Sequence, residues 1–170
     1  MAPVCLAGAA AVVVAAITFV QKPHSLSVLL AIFGLFAVMV VAERFPVPIE
    51  GVDAGGVTLG FVFAVAAIVL YGWQAGVIVA AAATTVAHLV GRKPLLRSAY
   101  NGSMFALCAA ASGVVVDQIH GTSTLALIAK IAVCAFLYNW VVNLVLISAV
   151  VSANTGKPFL KLIWETARQT

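Results

Sequence analysis

Two carboxamides, Asn139 and Asn143, sit in the middle of a long apolar run, with Tyr138 and Trp140 beside them. Four residues apart on a helix, the two amides share one face. Each amide offers two donors and an acceptor with two lone pairs. Such a pair can glue neighbouring helices together, at about 0.6 kcal/mol per bond in lipid, or it can hold a small polar ligand against the aromatic rings. Both roles fit, and Asn139, Asn143, Trp140 and Tyr138 are the candidate ligand-binding residues. A second series, Gly76, Ala80, Thr84 and His88, recurs at steps of four, with Ala83 and Ala87 alongside. Small residues in such a stripe let another helix approach closely, so this is a candidate helix-packing seam. The other role open to Thr84 and His88 is to face a binding cavity.

Other groups suit structure better than chemistry. Lys130 stands about one and a half turns inside an apolar run, where its long stem can carry the ammonium to the interface, with Asp117 as an available partner. The acidic cluster Glu43, Glu50 and Asp53 has no calcium-loop spacing, and Pro46-x-Pro48 holds the segment extended as a solvated connector. His24 and His120 are far apart in sequence and make a weak metal pair. Cys5, Cys108 and Cys134 each lie inside an apolar run with no CxxC pair, which points to neither a disulfide framework nor a zinc site. A phosphate-cradling glycine loop, a GxSxG elbow and an HExxH pair are all missing. The chain is expected to have no catalytic residue, no metal, no cofactor and no nucleic-acid partner.

The elements that must position these groups are set by where charge is missing. Residues 3–21, 25–42, 54–91, 98–116 and 131–156 contain no Asp, Glu, Lys or Arg. With 64% hydrophobic and 8% charged residues and a mean hydropathy of +1.18, a water-soluble fold would lack a polar surface. The expected surroundings are a lipid bilayer. A spanning helix needs about 20 mostly apolar residues, and the runs that qualify are Pro3–Val20, Leu26–Ala42, Val57–Tyr71, Ala75–Val90, Ala99–Val116 and Leu125–Val151. The predicted fold is all-α: a polytopic bundle of about six transmembrane helices with short loops over 1–156, followed by an amphipathic tail over 157–170. The third and fourth runs are short and rich in Gly and Ala, and are expected to enter as a hairpin. The first run has no basic residue ahead of it and reads as a retained span rather than a cleaved signal. In the tail, Phe159, Leu160, Ile163, Trp164 and Ala167 share one helical face and Lys161, Glu165 and Arg168 the other. It is either an interfacial helix or the start of a further span.

Charge orients the bundle. When loops are assigned alternately to two sides, one side collects Arg44, Arg92, Lys93, Arg97, Lys157, Lys161 and Arg168, and the other only Lys22. Basic loops stay in the cytoplasm, so both termini are expected there, in a bacterial cytoplasmic membrane. Arg92, Lys93, Arg97, Lys157 and Lys161 are the expected cytoplasmic anchors.

The stretch from Glu43-Arg44-Phe45-Pro46-Val47 through Gly56-Val57-Thr58-Leu59-Gly60-Phe61 to Tyr71-Gly72-Trp73-Gln74-Ala75 resembles a membrane-embedded bacterial module. So do Gly91-Arg92-Lys93-Pro94-Leu95-Leu96-Arg97 leading into Tyr100-Asn101, and Asn143 through Gly156-Lys157-Pro158. That module lies at the N-terminus of cyclic-dinucleotide signalling proteins of the HD-GYP and GGDEF types. The resemblance covers about residues 40–168. It implies a sensory or input domain with its output in the cytoplasm, delivered to a partner protein or a following catalytic domain. No HD, GYP or GGDEF motif occurs in this chain. The alternative function, from another class, is the substrate-binding subunit of an energy-coupling vitamin transporter. There Asn139, Asn143, Trp140 and Tyr138 would line a small-molecule pocket under a lid at Asp117–Thr124. A structural membrane protein without a ligand is the third.

Overall fold

A computed structural model describes residues 2–45, 47–48, 56–57 and 59–169. Each apolar run becomes a helix, and each break falls where glycine, proline or charge interrupts the run. The elements are α1 (Ala2–Val20), α2 (Leu26–Arg44), β1 (Val47–Pro48), β2 (Gly56–Val57), α3 (Gly60–Tyr71), α4 (Trp73–Val90) and α5 (Leu95–Val116). They are followed by α6 (Thr124–Phe136), a π-helical turn (Leu137–Val142), α7 (Asn143–Thr155) and α8 (Phe159–Gln169). The fold is all-α. The two short strands are a local antiparallel pairing of the connector, Val47 opposite Val57 and Pro48 opposite Gly56. Glu50 and Asp53 of the acidic cluster lie outside the described residues.

Local chemistry sets the boundaries. Ser25 and Ser123 cap α2 and α6, their hydroxyls accepting from the amides of Val28 at 3.4 Å and Ala126 at 3.2 Å. Gly72 joins α3 to α4 at φ +89°, a conformation that disfavours any side chain. Gly156 ends α7 in the left-handed region at φ +69°, and Pro158 lies two residues beyond it.

Five helices are long and apolar enough to cross a membrane: α1, α2, α4, α5 and the run Thr124–Ala149. The third apolar run gives a shorter helix. α3 has 12 residues, about 18 Å at 1.5 Å per residue, against a hydrocarbon core of about 30 Å. Val57, expected to begin the span, pairs in β2 instead, Leu59 lies in a turn, and Thr58 lies outside the described residues.

The centre of the bundle is α4, which packs against α1, α2, α3 and α5. Its most apolar window is 61% buried, whereas those of α1 and α2 are 11% and 6% buried. Side-chain size explains the difference. α4 presents Ala75, Gly76, Ala80, Ala83 and Ala87, all buried, and small residues admit several backbones at once. The outer helices carry bulk outward: Leu6 is 73% exposed, Phe33 64% and Leu30 61%. Large aliphatics outside and alanine inside is the arrangement that lipid surroundings reward, since tails solvate leucine as well as protein does. α1 lies against α4 and α5, α2 against α3 and α4, and α1 and α2 do not touch among the described residues.

Glycines mark the closest crossings. Gly8 of α1 meets Ser103 of α5, and Gly102 of α5 meets Thr85 of α4. At the far end of the same pair, a Cβ on Gly113 would stand 2.9 Å from the Cα of Trp73. The helices alternate in direction, so Arg44 approaches the α4–α5 turn at Gly91 while Lys22 approaches the start of α4 at Gln74.

Candidate functional site

The seam residues Gly76, Ala80, Thr84 and His88 are all buried on α4. Gly76 accepts the side chain of Ile68 from α3. Thr84 is fully buried and its hydroxyl has no hydrogen-bond partner among the described residues. His88 closes the series near the basic end, where Asn101 of α5 donates its amide to His88 Nδ1 at 3.3 Å, with the imidazole proton on Nε2. This bond ties the two helices that the α4–α5 turn joins. Spacing along α4 alone gives His88 no partner. The signal that points to Asn101 is the hairpin itself, which brings residues 13 apart side by side.

The second group is placed less compactly. Tyr138, Asn139 and Trp140 all lie on the π turn, and Asn143 is the first residue of α7. Tyr138 is fully buried, its ring 6.0 Å from that of Phe105 on α5, and its hydroxyl has no hydrogen-bond partner among the described residues. Asn139 is exposed and Trp140 is 42% exposed. The structure therefore does not bring Tyr138 together with its two neighbours. The shared face expected for Asn139 and Asn143 assumes an uninterrupted α-helical period. A π turn adds a residue to the turn and rotates the chain beyond it. The side chain of Asn143 lies outside the described residues.

The basic residues surround one rim of the bundle. Arg92, Lys93 and Arg97 are exposed at the α4–α5 turn, and Lys157 and Lys161 are exposed around the start of α8. On α8 the exposed apolar side chains among the described residues include Leu160 (78%), Trp164 (61%) and Phe159 (37%), while Leu162 is buried where α8 folds back on α7.

At the opposite end the isolated cations are engaged. Gln74, buried at the start of α4, turns its amide oxygen to accept from Lys22 Nζ at 3.1 Å and Trp73 Nε1 at 3.2 Å. Lys130 reaches up from α6 and donates to the Gly121 carbonyl at 3.4 Å, which is the snorkelling its stem allows. Asp117 is not that partner. His24 stacks on Phe19 at 3.9 Å and donates through Nε2 to its carbonyl at 2.9 Å. No group of three metal-ligating side chains occurs among the described residues.

Hollows open on the surface of the described residues. An apolar groove of about 250 Å³ runs between α3 and α6, lined by Phe61, Val65, Ile131 and Ala135 among others. A second, of about 540 Å³, lies between α1, α4 and α5 beside Ala9, Ile78, Ala82 and Gly102. A third, of about 380 Å³, lies at the start of α5 and, unlike these two, has a charged residue in its wall of Pro94, Leu96, Arg97, Tyr100 and Asn101. Comparison with known proteins finds no matching family model, no matching curated protein and no matching solved structure.

Proposed function

We propose that this chain is a six-span input module of a bacterial cytoplasmic membrane, relaying a change within the bundle to a cytoplasmic partner or output domain. The observation that carries this reading is the divided last span. Above the π turn, α6 packs on α3 and α5. At the turn, Tyr138 is inserted fully into the core beside Phe105. Beyond it, among the described residues, α7 meets the six preceding helices only through α5, and otherwise touches the turn and α8. An arm with a π turn at its root, seated on one neighbouring helix through Leu146 and Ser148, is suited to transmit a shift of register. Such turns are often found at functional sites.

The remaining parts fit the same use. The short α3 counts as the third crossing because Gly72 folds it into a hairpin with α4, which gives its backbone a buried partner. The concentration of Arg44, Arg92, Lys93, Arg97, Lys157 and Lys161 on one side favours cytoplasmic ends. Leu160 and Trp164 then face the lipid headgroup boundary from α8, with Lys161 beside them.

The transporter-subunit alternative requires a polar pocket opening on the Lys22 side. Its lining would sit on the π turn, roughly 21 Å along the helix from Ser123 and hence from the lid. Tyr138 on the inside and Asn139 and Trp140 on the outside do not converge on one cavity. This weighs for the input module. The test is native mass spectrometry of the chain purified in mild detergent, paired with photo-cross-linking from Leu160 in host cells. We expect a cross-link to a cytoplasmic protein or to a further domain of the same polypeptide. A vitamin-like metabolite retained at one per chain, without an α8 cross-link, overturns the reading.

A further inference from the structure

The turn between α4 and α5 is closed by backbone bonds. Gly91 N–H donates to Ala87 at 3.0 Å, Arg92 N–H to Leu89 at 2.9 Å, and Lys93 N–H to His88 at 3.0 Å. Arg92 takes φ +55° to make that closure, so the direction in which Arg92 and Lys93 leave the turn is fixed by main chain. Immediately beyond it lies the cavity of about 380 Å³ at the start of α5. Its walls are held from inside the bundle. Tyr100 is only 8% exposed, and Asn101 is pinned to His88 on α4. Arg97, by contrast, is exposed, and among the described residues no carboxylate pairs with it. The sequence carries no Asp or Glu between Asp53 and Asp117.

The cations are ringed by exposed apolar side chains. Leu95 is 75% exposed, Leu96 67% and Val90 62%. An unpaired arginine on a cavity wall calls for a phosphate or carboxylate, which a guanidinium binds through two parallel hydrogen bonds. Bare Leu96 on the cavity wall, with exposed Leu95 next to it in the chain, calls for hydrocarbon. A single molecule that offers both is an anionic phospholipid.

We propose that the cavity at the start of α5 seats the headgroup phosphate of an anionic phospholipid, held by Arg97, with its acyl chains lying along Leu95 and Leu96. Lys93 and Arg92 add to the local positive potential without lining the cavity. Basic pockets on the cytoplasmic side of membrane helices recognise such headgroups. Inorganic phosphate shares the headgroup's charge but gains nothing from the leucines, so the occupant is the lipid. The proposal rests on the reading that this end of the bundle meets the cytoplasmic leaflet. Labelling a cysteine placed at Lys93 from either side of the membrane tests that orientation separately.

The experiment compares the full chain with Arg97→Gln, Leu96→Trp and Lys157→Gln, each reconstituted in nanodiscs of phosphatidylcholine with a minor share of phosphatidylglycerol. Phosphatidylglycerol retained after transfer to detergent is counted by native mass spectrometry. Arg97→Gln is expected to lose about tenfold in retention, the scale of one charge-assisted pair. Leu96→Trp, which fills the cavity and leaves the charge, is expected to lose a comparable amount. Lys157→Gln, equally basic but outside the cavity, is expected to retain its lipid. Equal losses in Arg97→Gln and Lys157→Gln would make the attraction a diffuse surface effect and overturn the site. Retention by Arg97→Gln, or displacement of the lipid by millimolar inorganic phosphate, overturns it as well.

Discussion

The α4–α5 pair and the last span are built from opposite materials. α4 and α5 cross through Gly102 against Thr85 and Gly113 against Trp73, backbone close to backbone, with hydrogen bonding at the basic end through His88 and Asn101. The last span packs its first half on α3 and α5, buries Cys134 and Tyr138 fully, and then passes through a turn of irregular period. Close helix crossing spreads the packing over many small contacts and resists change. Past that turn α7 keeps only α5 among the earlier helices as a neighbour, with Leu146 and Ser148 turned inward. Close backbone approach and side-chain anchoring are thus assigned to different helices.

The largest blow to that contrast should come from Gly113→Leu. The new side chain meets the Trp73 backbone, which has no flexible end to give way. Overpacking of this kind costs about 1–3 kcal/mol, and the loss should appear as a lower midpoint in detergent thermal unfolding. A midpoint unchanged within error would mean that the α4–α5 crossing is looser than this geometry requires. Gln74→Leu removes the acceptor shared by Lys22 and Trp73 and should cost about 1 kcal/mol in the same assay. Its effect should shrink in the Lys22→Met background, since one of the two bonds is already gone. Tyr138→Phe deletes a buried hydroxyl that has no partner among the described residues. It should be neutral or stabilising by up to about 1 kcal/mol, and a clear loss would expose a partner. The smallest effect belongs to Trp140→Ala, on the exterior of the π turn, at about 0.5 kcal/mol or less.

Much of the helical plan is legible in the sequence, because apolar length and its interruptions are written in composition. The predicted Leu26–Ala42 becomes Leu26–Arg44, and Ala75–Val90 becomes Trp73–Val90. The short α3 is not legible. Val57 and Thr58 suit a helix as well as a strand by composition, and whether a helix begins there depends on what the connector does. Nor is the π turn at Leu137–Val142, since nothing in Leu-Tyr-Asn-Trp-Val-Val separates a regular helix from one with an extra residue. What decides it is how Tyr138 reaches Phe105, a contact between segments. The aromatic and amide residues there stand out by type, but grouping them on one face requires an unbroken period. The cavity beside Arg97 is hidden for a similar reason. In the sequence its arginine is one charge among several, and nothing in the order of residues shows that Pro94, Leu96, Tyr100 and Asn101 wall a hollow with it.

The separation of α1 from α2 has a consequence for biogenesis. Segments adjacent in sequence usually come to rest as neighbours, yet these two are parted, with α4 lying against both. On a ribosome that delivers the chain from its N-terminus, the first two spans must wait apart, their inner faces sheltered by lipid or an insertase. α2 meets α3 first, but only when the alanine-rich fourth segment arrives does α1 gain a permanent companion. A truncated product ending before Trp73 would present an unclaimed α1 to the membrane's proteases, and should be cleared rather than accumulate.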